Sequence, residues 1–269
     1  MARRRTPRAL ALLPALALAA AAAGCAEPTT SGTGEGGVAL IEPGFLTTCT
    51  HLPYEPFQFP QGPEIVGFDV DLVDLVARDL GVEQKIVDAP FDEGIQSGES
   101  LNTGQCDVAA AAMTITEERQ QNMDFSEPYF DATQALLVKP DSGITDFEQL
   151  RGKKLGVQVG TTGFEYAEEN KEKFGYEIIV FDDLALQTTA VKTGQIDAAI
   201  NDNGVLLNFA KQNPDTRVTT EFPTGDQYGI GVRTGNTALL EQVNETLRKA
   251  KESGEYDAIY EKWFGTKPQ

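Results

Sequence analysis

Short apolar runs alternate with helical patterns along nearly the whole chain, and this alternation constrains the fold more than any other feature. Strand-like runs lie at 45–50 (FLTTCT), 85–89 (KIVDA) and 107–112 (DVAAAA). Others follow at 134–139 (QALLVK), 154–159 (KLGVQV), 177–182 (EIIVFD), 197–201 (DAAIN) and 228–233 (YGIGVR). Between the first two, GFDVDLVDLVARDLG puts Phe68, Leu72, Leu75, Val76 and Leu80 on one helical face, with Asp69 as the expected N-cap and Gly81 as the C-cap. Helical spacing recurs at 161–173, 184–193, 203–211 and 236–262, the last broken at Gly254 into two helices. Strands alternating with helices predict parallel sheets covered by helices, an α/β fold. Both periods recur on either side of residue 135, which predicts two lobes without an internal sequence repeat.

The first 24 residues read differently. Arg3, Arg4, Arg5 and Arg8 precede an apolar run from Ala9 that ends in small residues. The run is short, Ala-rich and interrupted by Pro14, which suits an export signal better than a spanning helix. Ala22-Ala23-Gly24-Cys25 resembles a lipobox, with Ala22 where Leu is usual. That resemblance implies a lipidated Cys25 as the first mature residue, followed by a flexible tether over 25–37 of linker composition.

Charge excludes one class of partner. The chain has 22 Lys+Arg against 41 Asp+Glu, a formal net charge of −19. Without the four leader arginines the balance is 18 against 41, or −23. A body so acidic is a poor phosphate binder, and no nucleic-acid partner is expected. There is one histidine, His51, and no nucleophile elbow, CxxC, HExxH or EF-hand spacing, so neither metal nor cofactor is expected. Export permits a Cys49–Cys106 disulfide, which would stabilise by about 4 kcal/mol through loop closure. Two separate buried thiols fit the spacing equally well.

Six segments resemble the bacterial solute-binding proteins of family 3, receptors that feed polar amino acids to ABC transporters. They are CTHLPYEPFQF (49–59), VGFDVDLVDLVARDLGV (66–82), CDVAAAAMTITEERQQNMDFSEPYF (106–130), LRGKKLGVQVGTTGFEYA (150–167), GQIDAAINDNGV (194–205) and GEYDAIYEKWFG (254–265). They keep the family's order over nearly all of the mature chain. The resemblance implies a two-lobed, type II periplasmic-binding-protein-like fold: two mixed sheets flanked by helices and joined by a two-strand hinge. Lobe 1 would hold 38–131 plus 228–269, and lobe 2 would hold 132–227. It further implies a monomer outside the cytoplasm that closes on a free amino acid and delivers it to a membrane permease, with no chemistry of its own.

The resemblance also implies a site. Arg119 would grip the ligand carboxylate with two parallel hydrogen bonds, helped by donors from Ala112 and Thr114; the bland alternative is a solvated arginine beside Glu117 and Glu118. Thr161 and Thr162 open a helix whose free N–H groups favour an anion, or simply cap it. Asp202 ends a strand and would pair with the ligand ammonium, or cap the next helix. Tyr54 and Phe91 would flank the ligand side chain, although aromatics at such spacing are as often core. His51 stands where the family often has Asp. With Gln158 and Asn201 it makes a neutral pocket that points to glutamine or another polar amino acid, unless Glu55 restores a negative charge. The same scaffold hosts exported dehydratases acting on prephenate-like acids. That alternative needs a general acid, for which Glu55 and His51 are the candidates.

Overall fold

The computed structural model describes residues 32–33 and 37–268. The export signal and Cys25 therefore lie outside the described residues, as does most of the segment read as tether. Within that segment, Gly32–Thr33 pairs antiparallel with Ala39–Leu40. A two-residue pairing leaves no periodicity to read.

Two five-stranded sheets share one strand plan. In the first the order is Glu83–Asp88, Phe45–Thr50, Val108–Ala109, Gly231–Arg233 and Met123–Phe125. In the second it is Glu177–Phe181, Lys154–Gln158, Ala198–Asp202, Phe130–Val138 and Arg217–Tyr228. Three parallel strands meet two antiparallel ones in each, so both sheets are mixed. The inner parallel strands Phe45–Thr50, Val108–Ala109, Lys154–Gln158 and Ala198–Asp202 are buried along nearly their whole length, which suits their apolar runs, whereas the edge strands Glu83–Asp88 and Glu177–Phe181 are only half-buried. The chain crosses between sheets twice, through 126–130 and 228–230. The crossings bond to each other: Ser126 N–H donates to the Ile230 carbonyl and Tyr129 N–H to that of Tyr228.

Helices form largely where period and caps predict them: Phe68–Asp79, Thr162–Phe174, Leu184–Thr193, Asn203–Gln212, Thr237–Ser253 and Glu255–Phe264. Asp183 caps the third of these by accepting from Leu186 N–H at 2.7 Å. Among the described residues no helix is long and apolar enough to cross a membrane.

Three local expectations need correction, and several strands carry no signal in the sequence. Asp69 is not the N-cap of Phe68–Asp79; Gly67 is, at φ 147°. A Cβ there would lie 2.0 Å from the Phe57 carbonyl oxygen, so the close approach of the preceding loop requires glycine. The strand expected at 107–112 is only Val108–Ala109, because Ala112 turns left-handed at φ 48°. The run 228–233 divides between two sheets at Gly229-Ile230, where the chain crosses. Met123–Phe125, the hairpin Phe59–Gln61/Glu64–Val66 and most of Arg217–Tyr228 carry no strand-like apolar run. The last alternates half-buried and exposed residues around Pro223 and Gly225, with two register shifts against its neighbour.

Phe57 anchors the loop that enters the site. Its ring lies 5.1–6.1 Å from those of Phe68, Phe130, Tyr228 and Phe264, mostly edge to face. The C-terminal helix is thereby packed onto both crossings.

Candidate functional site

Parallel strands of both sheets end toward one cavity, the place where open α/β sheets bind ligands. From the first sheet come His51, Tyr54 and Gln58 after Phe45–Thr50, Phe91 after Glu83–Asp88, and Ala111, Ala112, Thr114 and Arg119 after Val108–Ala109. The second sheet supplies Gln158, Thr161, Thr162 and Asp202. Ten of the eleven residues read as facing the ligand thus border one space, all but Asn201, together with Gln58 and Ala111, which the sequence did not single out.

Arg119 is not the solvated arginine of the bland reading, being 3% exposed. Its Nη1 donates to the Thr114 carbonyl at 2.8 Å and its Nη2 to the Gly160 carbonyl at 2.9 Å. Those two bonds link the two halves and fix the guanidinium plane. Three of its five N–H donors are left for an anion. Phe91 sits 5.4 Å from the guanidinium carbon, a cation–π contact. Burial lowers the Arg119 pKa, while the charges of Glu165, Asp202 and Asp226 oppose that shift. The group stays cationic.

Asp202 lies on the other side. It begins Asn203–Gln212, yet its side chain makes no capping bond. Instead its carboxylate accepts from Gln134 Nε2 at 2.6 Å, from Tyr54 Oη at 3.1 Å and from Tyr228 Oη. Burial raises its pKa, and the bonds from Tyr228, Gln134 and Tyr54 pull it back. Burial and the adjacent carboxylate hold both tyrosine hydroxyls well above their usual range, so they remain neutral donors. Three neutral donors stabilise the anion without cancelling its charge, which leaves an anionic site facing a cation. Gln134 and Tyr228 escaped the sequence reading. The available signal was a glutamine at the start of an otherwise apolar strand.

Other assignments change. Ala112 N–H is taken by Asp69 Oδ2 at 2.6 Å, so this residue is cavity wall and not a ligand donor. The Thr161 hydroxyl is likewise engaged: it accepts from Phe164 N–H at 3.2 Å as helix N-cap and donates to the Gln158 carbonyl at 2.8 Å. Thr162 Oγ1 accepts from Gln134 Nε2 at 3.2 Å and stands 3.5 Å from Thr114 Oγ1. The first N–H groups of this helix still have no intrahelical partner. Asn201 does not line the cavity. It shares the single Tyr54 hydroxyl proton with Asp202 and donates to Gln158 Oε1 and Gln187 Oε1. Glu55 points elsewhere and accepts from Gln212 Nε2 at 2.6 Å, so it neither restores a charge nor supplies an acid. Cys49 and Cys106 are joined as a disulfide behind Phe91, with Cα atoms 5.6 Å apart. Among the described residues no group of three His, Cys, Asp or Glu side chains is placed to hold a metal.

Residues 46–266 match the profile of the bacterial extracellular solute-binding proteins, family 3. The chain belongs to that family. It is 38% identical over 213 residues to the ABC transporter glutamine-binding protein GlnH of Bacillus subtilis (strain 168), covering 78% of this chain and 76% of that one. It is 36% identical to the arginine-binding periplasmic protein of Mannheimia haemolytica, covering 80% and 89%. A solved ancestral arginine-binding protein bound to arginine superposes with a TM-score of 0.77 at 41% identity, covering 82% of this chain and 98% of that one. These family members are transport binding proteins, not enzymes, and the family is extracellular.

Proposed function

We propose that this member of the family is the lipid-anchored receptor of an ABC importer for a polar amino acid, with glutamine the first candidate. The observation that carries the reading is Arg119 and Asp202 bordering one cavity from opposite sheets. An α-amino acid needs a fixed cation for its carboxylate and a fixed anion for its ammonium. Arg119, the Thr114 hydroxyl and the open N–H groups at Thr161-Thr162 would hold the first, and Asp202 the second. Tyr54 and Phe91 flank the side chain, with His51 and Gln158 nearby. Segments 38–131 plus 228–269 would move as one lobe against 132–227 about the paired crossings, because only a ligand touching both favours closure. The similarity to glutamine- and arginine-binding relatives supports this ligand class.

A dehydratase reading has in its favour the likeness to an ancestral amino-acid-binding protein described as a precursor of cyclohexadienyl dehydratase, 36% identical. Among the described residues Asp202 is the only carboxyl group bordering the cavity, and it is already held by three donors.

Calorimetric titration of full-length, ligand-free protein with the twenty amino acids should give at least one polar ligand near micromolar Kd, about −8 kcal/mol. Binding of none would remove the proposal. Anchoring is tested separately: palmitate labelling in cells should mark the wild-type chain and be absent from Cys25→Ala. Equal labelling would exclude the anchor.

A further inference from the structure

Two buried acceptors in the cavity wall have no donor. Gln58 is 1% exposed, and its Oε1 has no hydrogen-bond partner; the same holds for Nε2 of His51. The orientation of each is set by a backbone carbonyl, which can only accept. Gln58 Nε2 donates to the His51 carbonyl at 3.3 Å, so the amide oxygen occupies the opposite end. His51 Nδ1 lies 3.1 Å from the Ala89 carbonyl, so Nδ1 carries a proton, and in that tautomer Nε2 is the acceptor. The loop itself is closed by Tyr54 N–H donating to the Gln58 carbonyl at 2.7 Å, which fixes Gln58 beside the aromatic wall.

Buried acceptors are rarely left unmatched, so the donors must come from whatever fills the cavity. We propose that Gln58 Oε1 and His51 Nε2 are the specificity-determining pair, accepting from the –NH2 of a carboxamide side chain. This deepens the amino-acid-receptor reading and rests on it. Glutamine supplies two such hydrogens. Glutamate, nearly the same shape, meets two acceptors with further acceptors. Arginine also offers donors, but among the described residues Asp202 is the only carboxylate bordering the cavity, and its place is with the ammonium. A guanidinium here would lose its water without gaining an opposite charge. The competing attraction lies outside, where Asp88, Asp92, Glu93 and Asp182 rim a second depression that shares His51 and Phe91.

The test compares glutamine, glutamate and arginine by calorimetry on full-length wild type, Gln58→Glu and Gln58→Met at pH 8. Wild type should prefer glutamine to glutamate by at least 100-fold and to arginine by at least 10-fold. Gln58→Glu should lose at least tenfold in glutamine affinity and gain at least tenfold for arginine. Gln58→Met should reduce the glutamine-to-glutamate ratio at least tenfold, a change that general loosening of the site does not produce. Wild type binding arginine more tightly than glutamine, or ratios in both variants within threefold of wild type, would overturn the pair's role while leaving amino-acid binding intact. Failure of all three ligands with wild type would overturn both readings.

Discussion

Arg119→Ala loses amino-acid binding by 30-fold to several-thousandfold, about 2–5 kcal/mol, the range for removing one member of a buried, hydrogen-bonded charge pair. The loss has two sources. The ligand carboxylate enters a site from which water is excluded, with no cation to meet it. Asp202 keeps its charge across the cavity without its opposite, and burial already raises its pKa. Arg119→Lys restores the charge but not the plane. A single ammonium cannot bond both the Thr114 and Gly160 carbonyls in this geometry and still present donors to an anion, so an intermediate loss is expected. Calorimetry of the two variants beside wild type measures the effect, and thermal unfolding of each separates it from damage to the fold. Affinity within tenfold of wild type in Arg119→Ala would remove Arg119 from the site.

The second large effect is on stability and depends on pH. Asp69 is 1% exposed and accepts from Ala112 N–H at 2.6 Å and Tyr129 Oη at 2.9 Å. Burial pushes its pKa from the ordinary 3.8 up to about 7, against the pull of those two bonds. Because the native pKa is raised, the folded protein keeps a proton between pH 4 and 7 that the unfolded chain has released. Stability therefore falls as pH rises through that window and levels off above it. At 1.36 kcal/mol per pH unit the whole window is worth about 4 kcal/mol. Asp69→Asn carries no titrating group, so urea unfolding should show the difference between variant and wild type moving by about 4 kcal/mol in the variant's favour from pH 4 to pH 8. All other groups cancel in that difference. A difference constant with pH would show that Asp69 does not titrate in this range. The same carboxylate holds Ala112 at φ 48°, a conformation costing about 1–2 kcal/mol for a residue with a Cβ. It thus shapes the cavity wall from beneath.

Much of the site was legible as residue types in order. The strand ends that carry Arg119, Thr161, Thr162 and Asp202 follow from apolar runs and helix starts, and those four residues do border one cavity. What each of them bonds to was not legible. Ala112 was expected to donate to a ligand and donates to Asp69; Glu55 was expected near the cavity and bonds Gln212. Gln58 lies within CTHLPYEPFQF, where nothing in its neighbours' spacing shows that its oxygen lacks a partner.

The sequence by itself determined the alternation of strands and helices, the apolar runs of the inner strands, and the capped helix start at Thr161. Each depends on interactions within a few residues, which periodicity records directly. Only the tertiary structure decided where the polar groups of the cavity point. Tyr54 reaches Asn201 across 147 positions, Arg119 reaches Gly160 across 41, and Asp69 reaches Ala112 across 43. Those pairings depend on which strands lie side by side and where the chain crosses between sheets, and local spacing carries no record of either.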